Sequence, residues 1–171
     1  MVRKVGIVGS SESHWNPKLK MKAIQEIRNI LTLEAVKEME KILEKSIESE
    51  EYRKTLFYAD TLQFSTIVLV SGASPKKGVD EFAEIVADSL GVKKEIYPAE
   101  VNQWDDWDRY EGSGRITKRK GYKSRNIQIA TAIDVLYCID PITRKPDEGG
   151  GMWTLNYAKR LNKETHHIII D

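Results

Sequence analysis

Residues 66–91 read TIVLV, then SGASPKKG, then VDEFAEIVADSL, then Gly91. Thr66 to Val70 is the most strand-like run in the chain, continuously apolar as a strand covered on both faces should be. It runs into Ser71-Gly72-Ala73. After Gly78 the apolar spacing changes to three and four, which predicts a helix from about Val79 to Leu90, capped by Gly91. Strand, glycine turn and helix in that order make the opening half of a parallel crossover unit, and the rest of the chain repeats the pattern.

Upstream, Val5 to Val8 is a short apolar run closed by Gly9-Ser10-Ser11, a buried strand entering a tight turn. Pro17 opens a helical stretch with Ile24, Ile27 and Leu31 on one face. A second stretch carries Val36, Met39, Leu43 and Ile47, with Thr32 as the N-cap between the two. The Glu and Lys residues from Glu34 to Glu51 read as a solvated helix face laced by i,i+3 pairs. Downstream, Glu95 to Tyr97 is a third strand stopped by Pro98. Arg125 to Ile133 is helical, Val135 to Ile139 is a fourth strand, Trp153 to Leu161 a helix, and Ile168 to Ile170 the last strand. The fold class is therefore α/β, a three-layer Rossmann-like sandwich with a mostly parallel five-stranded sheet. The 171 residues form a single domain with a helical insertion at about 17–64.

Composition narrows the function. With 27 Lys+Arg against 26 Asp+Glu, net charge +1, bulk electrostatics do not point to nucleic acid or membrane. The single cysteine, Cys138, excludes an intrachain disulfide and favours a cytoplasmic setting. No apolar run is long enough to span a bilayer, and MVRKVGIVGS lacks the apolar stretch of a signal peptide, so neither membrane insertion nor secretion is expected.

Three Gly/Ser-rich turns follow three strands: Gly9-Ser10-Ser11, Ser71-Gly72-Ala73 through Gly78, and Gly149-Gly150-Gly151. In a parallel sheet all three lie along one edge, and two open directly into helices, where exposed N–H groups and the helix dipole favour an anion. Ordinary connection geometry explains one such turn more easily than three. Arg125 is suited to gripping phosphate or carboxylate through paired hydrogen bonds, and Asn126 to capping the helix or binding a ribose hydroxyl. The long polar stretch from Ala99 to Ser124 is suspected of function on length alone. Its basic part carries Arg115, Lys118, Arg119, Lys120, Lys123 and Arg125, preceded by Trp104, Trp107 and Tyr110. That pattern suits single-stranded nucleic acid or a lid over a nucleotide; a self-balanced solvated loop is the plainer explanation. His14, His166 and His167 show no metal-ligand spacing with Cys138 or the carboxylates, so no metal and no cofactor is expected. No Walker A sequence or nucleophile elbow is present.

Taken together, VGIVGS (5–10), VSGASPKKGVDEFA (70–83), YPAEVNQWDDWDRY (97–110), GYKSRNIQIATAIDVLYCID (121–140) and GGGMWTLNYAKRLNK (149–163) resemble the SLOG superfamily. This is the Rossmann-like group that includes LOG phosphoribohydrolases and the DNA-processing protein DprA, and the likeness is greatest to its YspA-like branch. It covers the chain outside about residues 17–64. The resemblance implies a nucleotide or nucleotide-derived ligand and a homo-oligomer. By position it implies Gly9, Ser10 and Ser11 at the first turn, Gly72 and Ala73 at the second, and Asp80 as the acid of GxD. Arg125 and Asn126 match the RN pair, and Gly150, Gly151 and Thr154 the glycine-rich phosphate turn. LOG enzymes carry PGGxGTxxE at that turn; here Trp153 replaces a glycine and Tyr157 stands where the Glu would be. A missing general acid–base group removes roughly 10²–10⁴-fold of rate, so the resemblance carries the binding site better than the activity.

The expected function is binding of a nucleotide-derived phosphate ligand, as a sensor or processing module. The alternatives are hydrolysis of a nucleoside monophosphate's N-glycosidic bond, with Asp80 and Arg125 as catalytic candidates and Asp80 or Glu100 as the surrogate carboxylate, and DprA-like single-stranded DNA binding.

Overall fold

The computed structural model describes residues 2–46, 63–110, 112, 116–145 and 149–171. Seven strands occur among them: β1 (Arg3–Gly9), β2 (Ile67–Ser71), β3 (Lys93–Ile96), β4 (Trp107–Tyr110), β5 (Ile116–Arg119), β6 (Val135–Pro141) and β7 (Glu164–Ile170). Five form one sheet in the order β3-β2-β1-β6-β7, with every pairing parallel. The chain builds outward from β1 to β3, then returns to the other side of β1 with β6 and β7. Strand order therefore reverses between β1 and β6, where the carboxyl ends of the strands leave a crevice.

Helices α1 (Pro17–Ser46), α2 (Val79–Leu90), α3 (Tyr122–Ala132) and α4 (Gly150–Arg160) complete the layers. Side chains alternate across each strand. Val5, Ile7 and Leu69 pack with Ile27 and Leu31 of α1 and Phe82 and Val86 of α2. Val8, Val70 and Leu136 pack on the opposite face with Ile129 of α3 and Leu155 of α4. This is the three-layer α/β sandwich expected from the sequence. Strand β6 is buried along its whole length, whereas β7, at the sheet edge, is mostly exposed. The other edge, β3, presents Lys93 and Lys94 to solvent, a common guard against edge-to-edge pairing.

Two details of the insertion differ from expectation. Helix α1 runs through Thr32 without a break, so that residue is no N-cap. The buried stripe Ile27, Ile30, Leu31 and Ala35 continues across it, and packing outweighs the modest propensity cost of one threonine. Glu34 is not on a solvated face: it is fully buried, and accepts hydrogen bonds from Arg3 Nε at 2.6 Å, Lys37 Nζ at 2.7 Å and the Tyr137 hydroxyl at 2.9 Å. Residues 47–51 of that expected face lie outside the described residues.

The tract from Ala99 to Ser124 contains the antiparallel β4–β5 hairpin. Its base is pinned: Glu100 N–H donates to Lys120 O, and Gly121 N–H donates to Asp106 Oδ1 at 2.9 Å. Among the described residues, no helix is long and apolar enough to cross a membrane.

Candidate functional site

The crevice between β1 and β6 is a cleft of about 320 Å³, at the lower end of the size common for small-molecule sites. Each of the three glycine turns contributes to it. Gly9 and Ser11 come from the end of β1, Ser74, Lys76 and Lys77 from the loop after β2, and Gly149, Gly150 and Gly151 from the start of α4.

The sequence suits this junction because small residues allow the elements to touch. A Cβ on Gly151 would lie 2.8 Å from Gly9 Cα, so α4 can sit directly on the end of β1 only with glycine at 151; a Cβ on Gly9 would collide instead with the Ile139 carbonyl of β6. Gly78, at φ +89°, turns the chain into α2 where a Cβ would collide with Ser10 O.

The three helix starts at this edge differ. At α3 the N–H groups of Tyr122 and Lys123 donate to Gln103 O and Trp104 O, so that end is already satisfied. At α2 the Val79 N–H donates to Ser10 O, and Asp80 and Glu81 supply negative charge. At α4 the first intrahelical bond runs from Trp153 N–H to Gly149 O; Gly150, Gly151 and Met152 precede it. No side chain caps this helix, and its first turn holds no acid. Its positive end opens on the cleft.

Charge in the walls has the matching sign. Lys76, Lys77, Arg125 and Arg144 line the cleft with His14, against the single acid Asp80. Arg144 reaches in from the loop after β6. It donates to Ser10 Oγ at 2.5 Å and lies 3.4 Å from Asp140 Oδ1. Trp104 and Tyr122 form an aromatic wall.

Arg125 and Asn126 act as a strut between turns. Arg125 donates through Nη1 to Gly72 O at 3.3 Å and through Nε and Nη2 to Asn126 Oδ1 at 3.0 and 2.9 Å. Asn126 Nδ2 donates in turn to Gly150 O at 3.4 Å. The second and third turns are thereby tied together through α3. Asn126 lies inside α3, whose N-cap is Gly121, so it caps nothing. Thr154 commits its hydroxyl hydrogen to Gly150 O at 2.7 Å. Asp80 sits 3.6 Å from Arg125 and accepts from the Ser74 N–H at 3.1 Å. Burial nevertheless holds its carboxyl above the usual range, against the Arg125 charge and the Ser74 bond.

Of the expected site residues, Gly9, Ser11, Asp80, Arg125, Asn126, Gly150, Gly151 and Thr154 meet at this cleft. Ser10, Gly72 and Ala73 do not line it. Ser10 is buried behind it, its hydroxyl donating to Asp140 at 2.5 Å; Gly72 offers its carbonyl to Arg125; and Ala73 takes a left-handed turn conformation at φ +44°. Trp153 stands outside, stacked on Tyr157 and edge-on to Trp104. Sequence reasoning missed Arg144, which no local motif marks because its partner Ser10 is 134 residues away. It also passed over Lys76 and Lys77, visible between two glycines of the second turn. The basic tract is split: Lys118 and Arg119 lie on the hairpin, which exposes Trp107 and Tyr110, while Arg115 and Glu111 fall outside the described residues.

Comparison with protein-family models, curated proteins and solved structures finds no match.

Proposed function

We propose that this chain binds a nucleotide or nucleotide-derived phosphate ligand in the cleft at the carboxyl edge of its parallel sheet, as a sensor or processing module. The observation that carries the reading is the uncapped start of α4 opening, with no acid in its first turn, on a cleft whose walls supply four basic side chains. A phosphate there would take the N–H groups of Gly150 and Gly151, with Arg144 beside them. The Trp104 and Tyr122 wall offers a base a stacking surface. Arg125 and Asn126 are positioning residues in this reading, holding the second and third turns at fixed spacing.

The test is thermal unfolding of the full chain against a panel of nucleoside mono-, di- and triphosphates. Saturation at a hundred times Kd stabilises a protein by about 2.7 kcal/mol, which is readily seen in Tm. A panel that leaves Tm unmoved overturns the proposal. Arg125→Ala should abolish the shift.

A second reading, hydrolysis of the N-glycosidic bond of a nucleoside monophosphate, is favoured by Asp80. A carboxyl that lines the cleft and holds its proton more firmly than usual is suited to protonating a departing base. Base release from AMP that disappears in Asp80→Asn would support it; unchanged AMP after long incubation would remove it.

A further inference from the structure

A second cluster lies behind the cleft and is linked to it through Arg144, which lines the cleft and lies 3.4 Å from Asp140 Oδ1. Cys138 and Asp140 are two residues apart on β6, so their side chains leave the same face of the sheet. The parallel register places His167 of β7 directly beside Cys138. Cys138 Sγ is 3.5 Å from Asp140 Oδ2, and His167 Nε2 is 3.1 Å from the same oxygen. One ligand atom from each residue falls within 4.8 Å of the others. Spacing along the chain shows no metal motif here, because the register of β6 on β7, not sequence distance, brings the third residue in.

From the donor set and its geometry we infer that Cys138, Asp140 and His167 form a binding site for a divalent, borderline-soft cation of the zinc type. Bond lengths of about 2.0–2.3 Å at tetrahedral angles place neighbouring ligand atoms roughly 3.3–3.6 Å apart. The two spacings to Asp140 Oδ2, 3.5 and 3.1 Å, are close to this, and the sulfur and imidazole nitrogen lie within 4.8 Å of each other. One thiol, one imidazole and one carboxylate make a three-residue set, which leaves the fourth position to water. Arg144 and the Ser10 hydroxyl hold the other carboxylate oxygen, Oδ1, and so orient Oδ2 toward the cluster as outer-shell partners do. Cys138 is fully buried and His167 is partly open, which provides a route for entry. Binding is an exchange without redox change: the thiol proton leaves to solvent, and the thiolate, the neutral imidazole Nε2 and the carboxylate each donate a pair to the ion. Without a cation, burial and the Asp140 charge keep that thiol protonated; the ion's own charge reverses the balance.

The experiment uses the full chain, stripped with a chelator and titrated separately with Zn²⁺ and Co²⁺. The expected result is uptake of about one equivalent, with a thiolate-to-cobalt charge-transfer band. That band should be lost in Cys138→Ser. In His167→Gln, affinity should fall by more than the roughly 10–100-fold that outer-shell changes cause. No uptake overturns the proposal, as does a cobalt spectrum without the thiolate band. Affinity unchanged in His167→Gln also overturns it, and that variant decides the matter if Cys138→Ser does not fold. Because none of these readouts uses a nucleotide, their failure is distinguishable from failure of the nucleotide proposal.

Discussion

Among the described residues, two of the buried ion pairs are opposite in character. At the amino-terminal edge of the sheet, Arg3 of β1 meets Glu34 of α1 at 2.6 Å. Burial alone would raise that carboxyl, but hydrogen bonds from Lys37 and Tyr137 and the Arg3 charge and bond together leave it below the usual range. Glu164 closes the network on the far side of Arg3 at 2.6 Å. At the carboxyl edge, Arg125 and Asp80 are 3.6 Å apart, one backbone N–H is the other main support, and burial wins. The first pair is saturated by its neighbours and clamps α1 to the sheet. The second lines a cleft and is only partly compensated. That contrast separates a polar cluster whose neighbours outweigh the cost of burial from one in which burial prevails.

The largest effect should come from breaking the saturated pair. Glu34→Ala leaves the buried Tyr137 hydroxyl without its acceptor and Arg3 with only the outer carboxylates Glu164 and Glu38, and should cost about 3 kcal/mol of unfolding free energy in a urea titration. Asp80→Ala should cost clearly less; equal losses would erase the distinction drawn between the pairs.

Next in size is the junction of α4 with β1. Gly151→Ala must push against the Gly9 backbone and should cost about 1–3 kcal/mol. Gly150→Ala meets only Asn126 Nδ2 at an ordinary 3.5 Å. Its stability should change by less than about 1 kcal/mol, with the alanine preference of helices in its favour. Equal penalties at the two positions would show that the helix does not sit on the strand end as described.

The smallest effects should appear in pH dependence, with opposite signs. Glu34 has a lowered pKa, so its contribution is present above the ordinary value of 4.5 and is lost as pH falls through its folded value. The stability deficit of Glu34→Gln should therefore grow as pH rises toward and past 4.5. Asp80 has a raised pKa, so the wild type loses stability as pH climbs from the ordinary value of 3.8 through its folded value. Asp80→Asn should gain on the wild type over that climb. Parallel slopes in the two variants would contradict the assignment of the pairs.

Legibility in the sequence followed burial. Strands β1, β2 and β6 are covered on both faces and stand out as apolar runs, and α2 falls on Val79–Leu90 as its periodicity predicts. Strand β7 is an edge, so Glu164 to His167 look polar and only the three isoleucines read as strand. The β4–β5 hairpin was invisible because its side chains are almost all exposed and carry no apolar alternation. Glu34 misled because a helix face rich in Lys and Glu gives no sign that one carboxylate turns inward to Arg3. In the cleft, the glycine turns could be read because backbone geometry demands small residues. Arg144 and the approach of His167 to Cys138 could not, since each depends on loop return or strand register rather than on local pattern.

The proposed nucleotide site places phosphate at the open start of α4. The most direct measurement is a titration of AMP into the ¹⁵N-labelled full chain, followed at the backbone amides. The Gly150, Gly151 and Met152 signals should shift first and furthest, as their N–H groups gain an anionic acceptor. Shifts confined to the β4–β5 hairpin, or amides at Gly149–Met152 that stay in place while AMP binds elsewhere, would contradict it.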